Sequence, residues 1–269
     1  MSSTDSAGRG RLVVIVGGGA GIGAATAQCL ASQGWQVAVA DIDGDAARQT
    51  AALADGQAYT VDVCDPDSVE QLAQRIEQAQ GPVYGLVSAA AIFAPRMAPE
   101  ELPMAQWDRI VDISYRGTYL CNVAFAQRMA RSGQGGAIVN ISSMVGQRPN
   151  HGHAYYSAKA AVNMLTEGMA GEWGRSGVRV NAVSPGFVGV PRMLENIRQG
   201  QRYAVSPAEV SALGRLVEPA EVAQTIAFLL SDHASAVTGA NLAVDAGVLA
   251  CNGWAVHGGV PPARATSAH

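Results

Sequence analysis

One α/β domain built on a doubly wound parallel sheet is the fold this sequence predicts. Short apolar β-type runs alternate with longer helical patterns along nearly the whole chain, and the first run leads directly into a glycine cluster that opens a helix. A repeated β-α-β-α order needs crossover connections, which make neighbouring strands parallel and place helices on both faces. At 269 residues, 48% of them hydrophobic, the chain can bury one sizeable core. Its middle shows no linker-like shift in composition and no internal repeat. The expected organisation is a disordered leader over 1–10, the folded domain over 11–250 and a C-terminal tail over 251–269.

The elements follow in order. Leu12–Val16 is a continuous apolar run, as a strand buried on both faces requires. Similar runs at 37–40, 58–61, 84–88, 137–141, 178–183 and 242–244 complete seven strands. Helical patterns occupy 22–33, 67–80, 100–131, 155–175 and 220–230. Asp65-Pro66 opens one of them and Glu218-Pro219 another, while Gly34, Gly81 and Gly177 follow helix ends.

Bulk properties exclude several functions. A net charge of −4 with 15% charged residues leaves no basic surplus for a nucleic-acid backbone. No apolar run approaches the roughly 18 residues of a membrane span, and residues 1–10 lack an apolar signal core. Cys29, Cys64, Cys121 and Cys251 show no C-x-x-C pairing, which suits reduced thiols in a cytoplasmic protein. Cys29 and Cys121 fall in apolar helical patterns and are expected to be buried. No metal site is expected, since His151 and His153 in a Gly/Pro loop are poor ligand spacing.

The chemistry-bearing residues fall at strand ends. Gly17-Gly18-Gly19-Ala20-Gly21-Ile22-Gly23 sits between a buried strand and a helix N-terminus. There the backbone can approach a pyrophosphate closely and the helix dipole favours its charge. Asp41 ends the second strand, followed by Ile42. A carboxylate there accepts from the adenosine ribose hydroxyls and repels a 2′-phosphate, with Asp43 adding to the field, which favours NAD over NADP. Asp62 and Val63 end the third strand, where the acid can accept from the adenine amino group and Val63 can pack on the ring. Tyr155 and Lys159 share one helical face. An ammonium beside the phenol favours the phenolate, and so Tyr155 can exchange a proton with an alcohol as hydride moves. Ser142 and Ser143 follow the fifth strand, where a hydroxyl can stabilise charge on a substrate oxygen.

Together these residues resemble the short-chain dehydrogenase/reductase family over about 12–247. The resemblance is carried by Gly17-x-x-x-Gly21-x-Gly23, Asp41, Asp62, Ser142-Ser143, Tyr155-x-x-x-Lys159, Asn181-x-x-Ser184-Pro185-Gly186, Thr238-Gly239 and Asp245-x-Gly247. It implies a single Rossmann-type domain, NAD-linked exchange between a secondary alcohol and a ketone, and a homotetramer or homodimer. It assigns Ser143, Tyr155 and Lys159 to catalysis. Tyr155, Lys159, Ala89, Ala90, Pro185, Gly186 and Val188 join Gly17, Gly19, Gly21, Ile22 and Gly23 on the cofactor side. Ser143 is preferred to Ser142 because Gly146 follows it by three residues, although Ser142 better matches the family's spacing to the tyrosine.

Departures from the family pattern are specific. Val16 replaces a threonine, Ser88-Ala89-Ala90-Ala91 replaces Asn-Asn-Ala-Gly, and Val190 replaces a threonine beyond Pro185-Gly186. Ser114 replaces a catalytic asparagine and is expected to hold a shifted water in its stead. These changes keep a second reading open, an NAD-binding regulator or structural protein with impaired catalysis. Enoyl reduction and epimerisation are further alternatives. The family's mobile lid falls at 190–213, where Arg192, Arg198 and Arg202 join Arg96 and Arg148 at the same sheet edge. That cluster suggests either an anionic substrate group or ordinary solvated charge.

Overall fold

The computed structural model describes residues 8, 10–200, 203, 205–262 and 264. Seven parallel strands form one sheet in the order β3-β2-β1-β4-β5-β6-β7. They are β1 Leu12–Val16, β2 Gln36–Asp41, β3 Gln57–Thr60, β4 Val83–Ser88, β5 Gly136–Ile141, β6 Val178–Pro185 and β7 Asn241–Val244. The helices are α1 Gly21–Ser32, α2 Gly44–Leu53, α3 Pro66–Gln80, α4 Met104–Val111, α5 Gly117–Ser132, α6 His153–Trp173, α7 Pro191–Arg198 and α8 Pro219–Leu230.

The run LVVIV shows how the layers form. All five residues of β1 are buried, yet their side chains alternate between two cores. Leu12, Val14 and Val16 join residues of α3, α5 and α6 on one face. Val13 and Ile15 join Ala27 and Leu30 of α1, Ala47 and Ala51 of α2, and Ile226 and Leu229 of α8 on the other. The strand order reverses between β1 and β4, so the two halves of the sheet diverge there and leave a crevice at the strands' carboxyl ends.

All seven expected strands form within two residues of their expected ends, and the helix pattern needs three corrections. The expected helix over 100–131 is four pieces: a 3₁₀ turn at Pro99–Glu101, α4, a π-turn at Asp112–Arg116, and α5. Pro103 supplies the first break because it lacks an N–H and forces its predecessor out of helical geometry. Helix α2 was not expected, because its buried contacts are only Ala47, Thr50 and Ala51 and its apolar stripe is faint. Asp43 starts it, accepting from the N–H groups of Asp45 and Ala46. Helix α7, which begins with Pro191 and buries only Met193, was also missed inside the expected lid.

Most of the expected leader, residues 1–7 and 9, lies outside the described residues. Gly10 donates its N–H to the Gly34 carbonyl at 3.0 Å. In the C-terminal segment Cys251 is buried and Trp254–His257 forms a 3₁₀ turn. Cys121 is buried as expected, whereas Cys29 is only half-buried. No helix among the described residues is long and apolar enough to cross a membrane.

One buried polar network ties the sheet to its helices. The Asn122 Nδ2 of α5 donates to Asn140 Oδ1 of β5 at 2.7 Å, and Asn140 Nδ2 returns a bond to Asn122 Oδ1 at 3.1 Å. Asn140 Nδ2 also donates to Thr166 of α6 at 3.1 Å, and Asn122 Nδ2 to Ser88 of β4 at 3.3 Å. Ser88 thus supplies a partner at a position where an asparagine is usual in the resembled family. Replacing Asn140 with alanine should leave the buried Asn122 Oδ1 without its donor and destabilise the fold by about 1–3 kcal/mol. Urea unfolding should show a lower midpoint with an unchanged slope.

Candidate active site

The crevice at the strand ends is a cavity of about 520 Å³. At one end lies the glycine turn. Gly17 has φ +78°, and a Cβ there would fall 2.4 Å from the Ala90 nitrogen. At Gly23 a Cβ would fall 2.2 Å from the Gly17 oxygen. Only glycine permits both contacts, so at Gly17 and Gly23 β1 turns directly into α1 with no side chain in the way. Ala20, preceding α1, provides no side-chain cap. The first-turn N–H groups of α1 therefore remain available to an anion. Gly17, Gly21, Ile22, Gly23 and Ala89 all line the cavity.

Asp41 lies next to this turn rather than on the cavity wall. Its Oδ2 accepts from the Gly19 N–H at 2.9 Å and its Oδ1 from the Asp43 N–H at 3.1 Å. A carboxylate with two bonds still has lone pairs for ribose hydroxyls. Arg48, the nearest following cation, is bonded to Asp45. Ile42 is 66% exposed beside Asp41. Asp62 is exposed and caps its own turn, accepting from the Cys64 N–H at 2.9 Å. Val63 is buried, with its side chain in contact range of Gly117. Gly19, Ile42, Asp62, Val63 and Ala90 are outside the cavity lining. An uncapped helix N-terminus, a turn closed to side chains and a fixed acid beyond it fit a dinucleotide.

Ser143, Tyr155 and Lys159 meet at the other end of the cavity. The Ser143 hydroxyl lies close enough to the Tyr155 hydroxyl to favour its ionised form. Ser142 is turned away, its hydroxyl donating to the Lys159 carbonyl at 3.0 Å. Lys159 is 1% exposed, and its Nζ donates to the Ile141 carbonyl at 2.7 Å. That uses one of three donors. Nζ lies 5.7 Å from the Tyr155 ring centroid. Burial lowers the lysine to about 8. Tyr155 moves opposite to the sequence expectation: burial pushes its hydroxyl up to about 12, and Ser143 offsets only part of the rise. Desolvation outweighs a charge at that distance.

Ser114 is fully buried inside the π-turn and does not line the cavity. Its hydroxyl accepts from the Ile92 N–H at 3.4 Å, so it supports the 89–93 segment rather than opening toward the reacting centre. Val16 and the 88–91 segment leave no unpaired buried side-chain atom among the described residues. Pro185, Gly186 and Val188 line the cavity from the end of β6, and Val188 is held by a bridge to Val217. Of the arginines, Arg96 and Arg192 line the cavity. Arg148 bonds the Gln147 carbonyl and Arg198 bonds Glu195, while Arg202 lies outside the described residues. His151 lines the cavity, whereas His153 stacks edge-on with Tyr156. Sequence reasoning missed Phe93, whose ring lies 5.0 Å from that of Tyr155. No period or motif marks a single aromatic in a loop. No cluster of three or more metal-ligating side chains occurs among the described residues.

Comparison with known proteins places this arrangement. A family model described as enoyl-(acyl carrier protein) reductase matches residues 17–249. Over 252 residues the chain is 40% identical to cis-4-hydroxycyclohexanecarboxylate dehydrogenase of Sinomonas cyclohexanicum, covering 89% of this chain and 97% of that protein. The crystal structure of ribose-5-phosphate isomerase from Brucella melitensis 16M matches with a TM-score of 0.91 at 41% identity, covering 95% of this chain and 100% of that one. Levodione reductase matches with a TM-score of 0.84 at 30% identity, covering 89% of this chain and 97% of that one.

The opposed shifts of Lys159 and Tyr155 have a pH signature. Between about 8 and the unfolded lysine value near 10.4, the unfolded chain binds the Lys159 proton and the folded chain does not, so stability rises with pH. Above about 10 the folded chain keeps the Tyr155 proton that the unfolded chain releases, and this contribution reverses the slope. Denaturant unfolding of cofactor-free protein should show the wild type gaining stability relative to Lys159→Met between pH 8 and 10. A pH-independent difference would contradict a depressed lysine.

Proposed function

The chain belongs to the short-chain dehydrogenase/reductase family, and we propose that it is an NAD-dependent enzyme interconverting a secondary alcohol and a ketone, with Tyr155 as the acid/base. The observation that carries this reading is the meeting of Ser143, Tyr155 and Lys159 in the same cavity as the glycine turn. The S. cyclohexanicum dehydrogenase is named for a ring alcohol, and this favours a cyclic secondary alcohol here. The enzyme is proposed to be a cytoplasmic homotetramer or homodimer.

Bound NAD supplies the hydride acceptor. The remaining work belongs to the chain. The α1 N–H groups hold the pyrophosphate, and Asp41 accepts from the adenosine ribose. Asp41 with Asp43 repels a 2′-phosphate, and Arg48, already paired with Asp45, cannot offset that repulsion. Ser143 holds the substrate oxygen against Tyr155, which takes the hydroxyl proton on oxidation and returns it on reduction. Lys159 is an ammonium at neutral pH, given its value of about 8. Its two remaining donors suit the nicotinamide-side ribose, and its charge opposes the burial that holds Tyr155 protonated. Ser114 is a positioning residue acting through Ile92.

The isomerase among the solved structures raises a second reading, but sugar isomerisation needs no dinucleotide site. Gly17 and Gly23 are shaped for close backbone approach, which favours dehydrogenation.

The test is reduced-nicotinamide absorbance across a panel of secondary alcohols. Tyr155→Phe should lower kcat/KM by about 100-fold or more while calorimetry shows NAD still bound. Wild type should prefer NAD to NADP, and Asp41→Ala should narrow that preference. Full activity in Tyr155→Phe would remove the mechanism. NAD binding without turnover of any alcohol would favour the impaired binding protein, and cofactor-free isomerisation of ribose 5-phosphate would favour the isomerase.

A further inference from the structure

The cavity wall contains Arg96, Lys159 and Arg192 and not one aspartate or glutamate, although the chain as a whole is acidic. Lys159 is committed to the reacting centre. Arg192 is not: it is the second residue of α7 and lines the cavity, and no carboxylate among the described residues lies within ion-pair distance of it. The other arginine described on that helix, Arg198, is bonded to Glu195.

Phe93 lies between the exposed Arg192 and Tyr155. The Arg192 guanidinium lies 5.0 Å from the centroid of Phe93, and the Phe93 ring lies 5.0 Å from that of Tyr155. The guanidinium is therefore no more than about 10 Å from the Tyr155 ring and lies over an aromatic face, although the Arg192 side chain is exposed. Much of the remaining lining is apolar, including Met144, Val145, Phe187 and Met193. A largely apolar wall that carries the acid/base and, within about 10 Å of it, a planar cation matches a substrate with a hydrocarbon body and an anionic end. Guanidinium geometry suits a carboxylate, which accepts two parallel bonds.

We propose that Arg192, beside Phe93, binds a carboxylate on the substrate, so that the enzyme's substrates are carboxylate-bearing secondary alcohols with the anion about one ring's length from the reacting carbon. This rests on the alcohol–ketone reading above and names its substrate class.

The test compares 4-hydroxycyclohexanecarboxylate with cyclohexanol in wild type, Arg192→Ala, Arg192→Lys and Arg198→Ala. Wild type should favour the carboxylate in kcat/KM by about 10- to 100-fold, the range of a charge-assisted bond. Arg192→Ala should erase most of that preference through KM for the carboxylate, and Arg192→Lys should restore part of it. Arg198→Ala should retain it fully. Equal turnover of both alcohols by wild type would overturn the proposal. So would an Arg192→Ala defect expressed as a raised KM for NAD, which would assign the arginine to the cofactor. Calorimetry with cyclohexanecarboxylate and cyclohexanecarboxamide separates this inference from the reaction itself. Arg192-dependent preference for the acid in a protein that oxidises nothing would retain the anion site and discard the dehydrogenase. Lack of that preference in an active enzyme would do the reverse.

Discussion

The turn at Gly17, where the central strand passes into the first helix, is the constraint on which the rest of the molecule depends. Strand β1 is buried on both faces and has β2 on one side and β4 on the other, so its end cannot move without shifting both halves of the sheet. The chain must reverse there within a few residues, under the overhang of Ala90 and Gly23. A single Cβ at either glycine would push apart β1, β4 and α1 together. The same crowding that excludes side chains exposes backbone N–H groups to the crevice. Close packing and an open row of backbone N–H groups thus come from one geometry.

Polar groups inside the fold are arranged to limit a second cost. Burying an ammonium costs several kcal/mol, and Lys159 recovers part of it through its bond to Ile141 at the end of β5. What is not recovered appears as a proton affinity well below that of a free lysine. The fold therefore holds strain where the chemistry lies. Asn122, Asn140, Thr166 and Ser88 behave differently, since each finds partners within the same network. That network includes Asn140 near the end of β5, two residues before Ser142, and joins two strands to two helices.

The α7 side of the site is built on weaker terms. Helix α7 buries only Met193. It is attached through the Val188–Val217 bridge and through Tyr203, which stacks on Phe187 and contacts the Met193 sulfur at 3.2 Å. Few apolar contacts and short backbone ties put such a segment at the low-stability end of a structure.

Amino-acid order alone determined the seven strands, the parallel sheet, the glycine turn and the tyrosine–lysine pair. Each is written in local terms: apolar runs of strand length, a phosphate-type loop between two periodic segments, and two side chains one helical turn apart. The family's usual residues at Val16, Ser88 and Ser114 are absent, so the meaning of those positions was not local. Only the tertiary structure showed that Ser88 is served by Asn122, that Ser114 faces Ile92 rather than the cavity, and that Ser143 rather than Ser142 meets Tyr155. It alone reversed the expected shift of Tyr155, because desolvation depends on everything packed around a group. It also separated Arg96 and Arg192, which line the cavity, from Arg148 and Arg198, which have the same local sequence appearance. Sequence patterns register periodicity along the chain, whereas burial, direction and distance across the crevice arise from residues far apart in it.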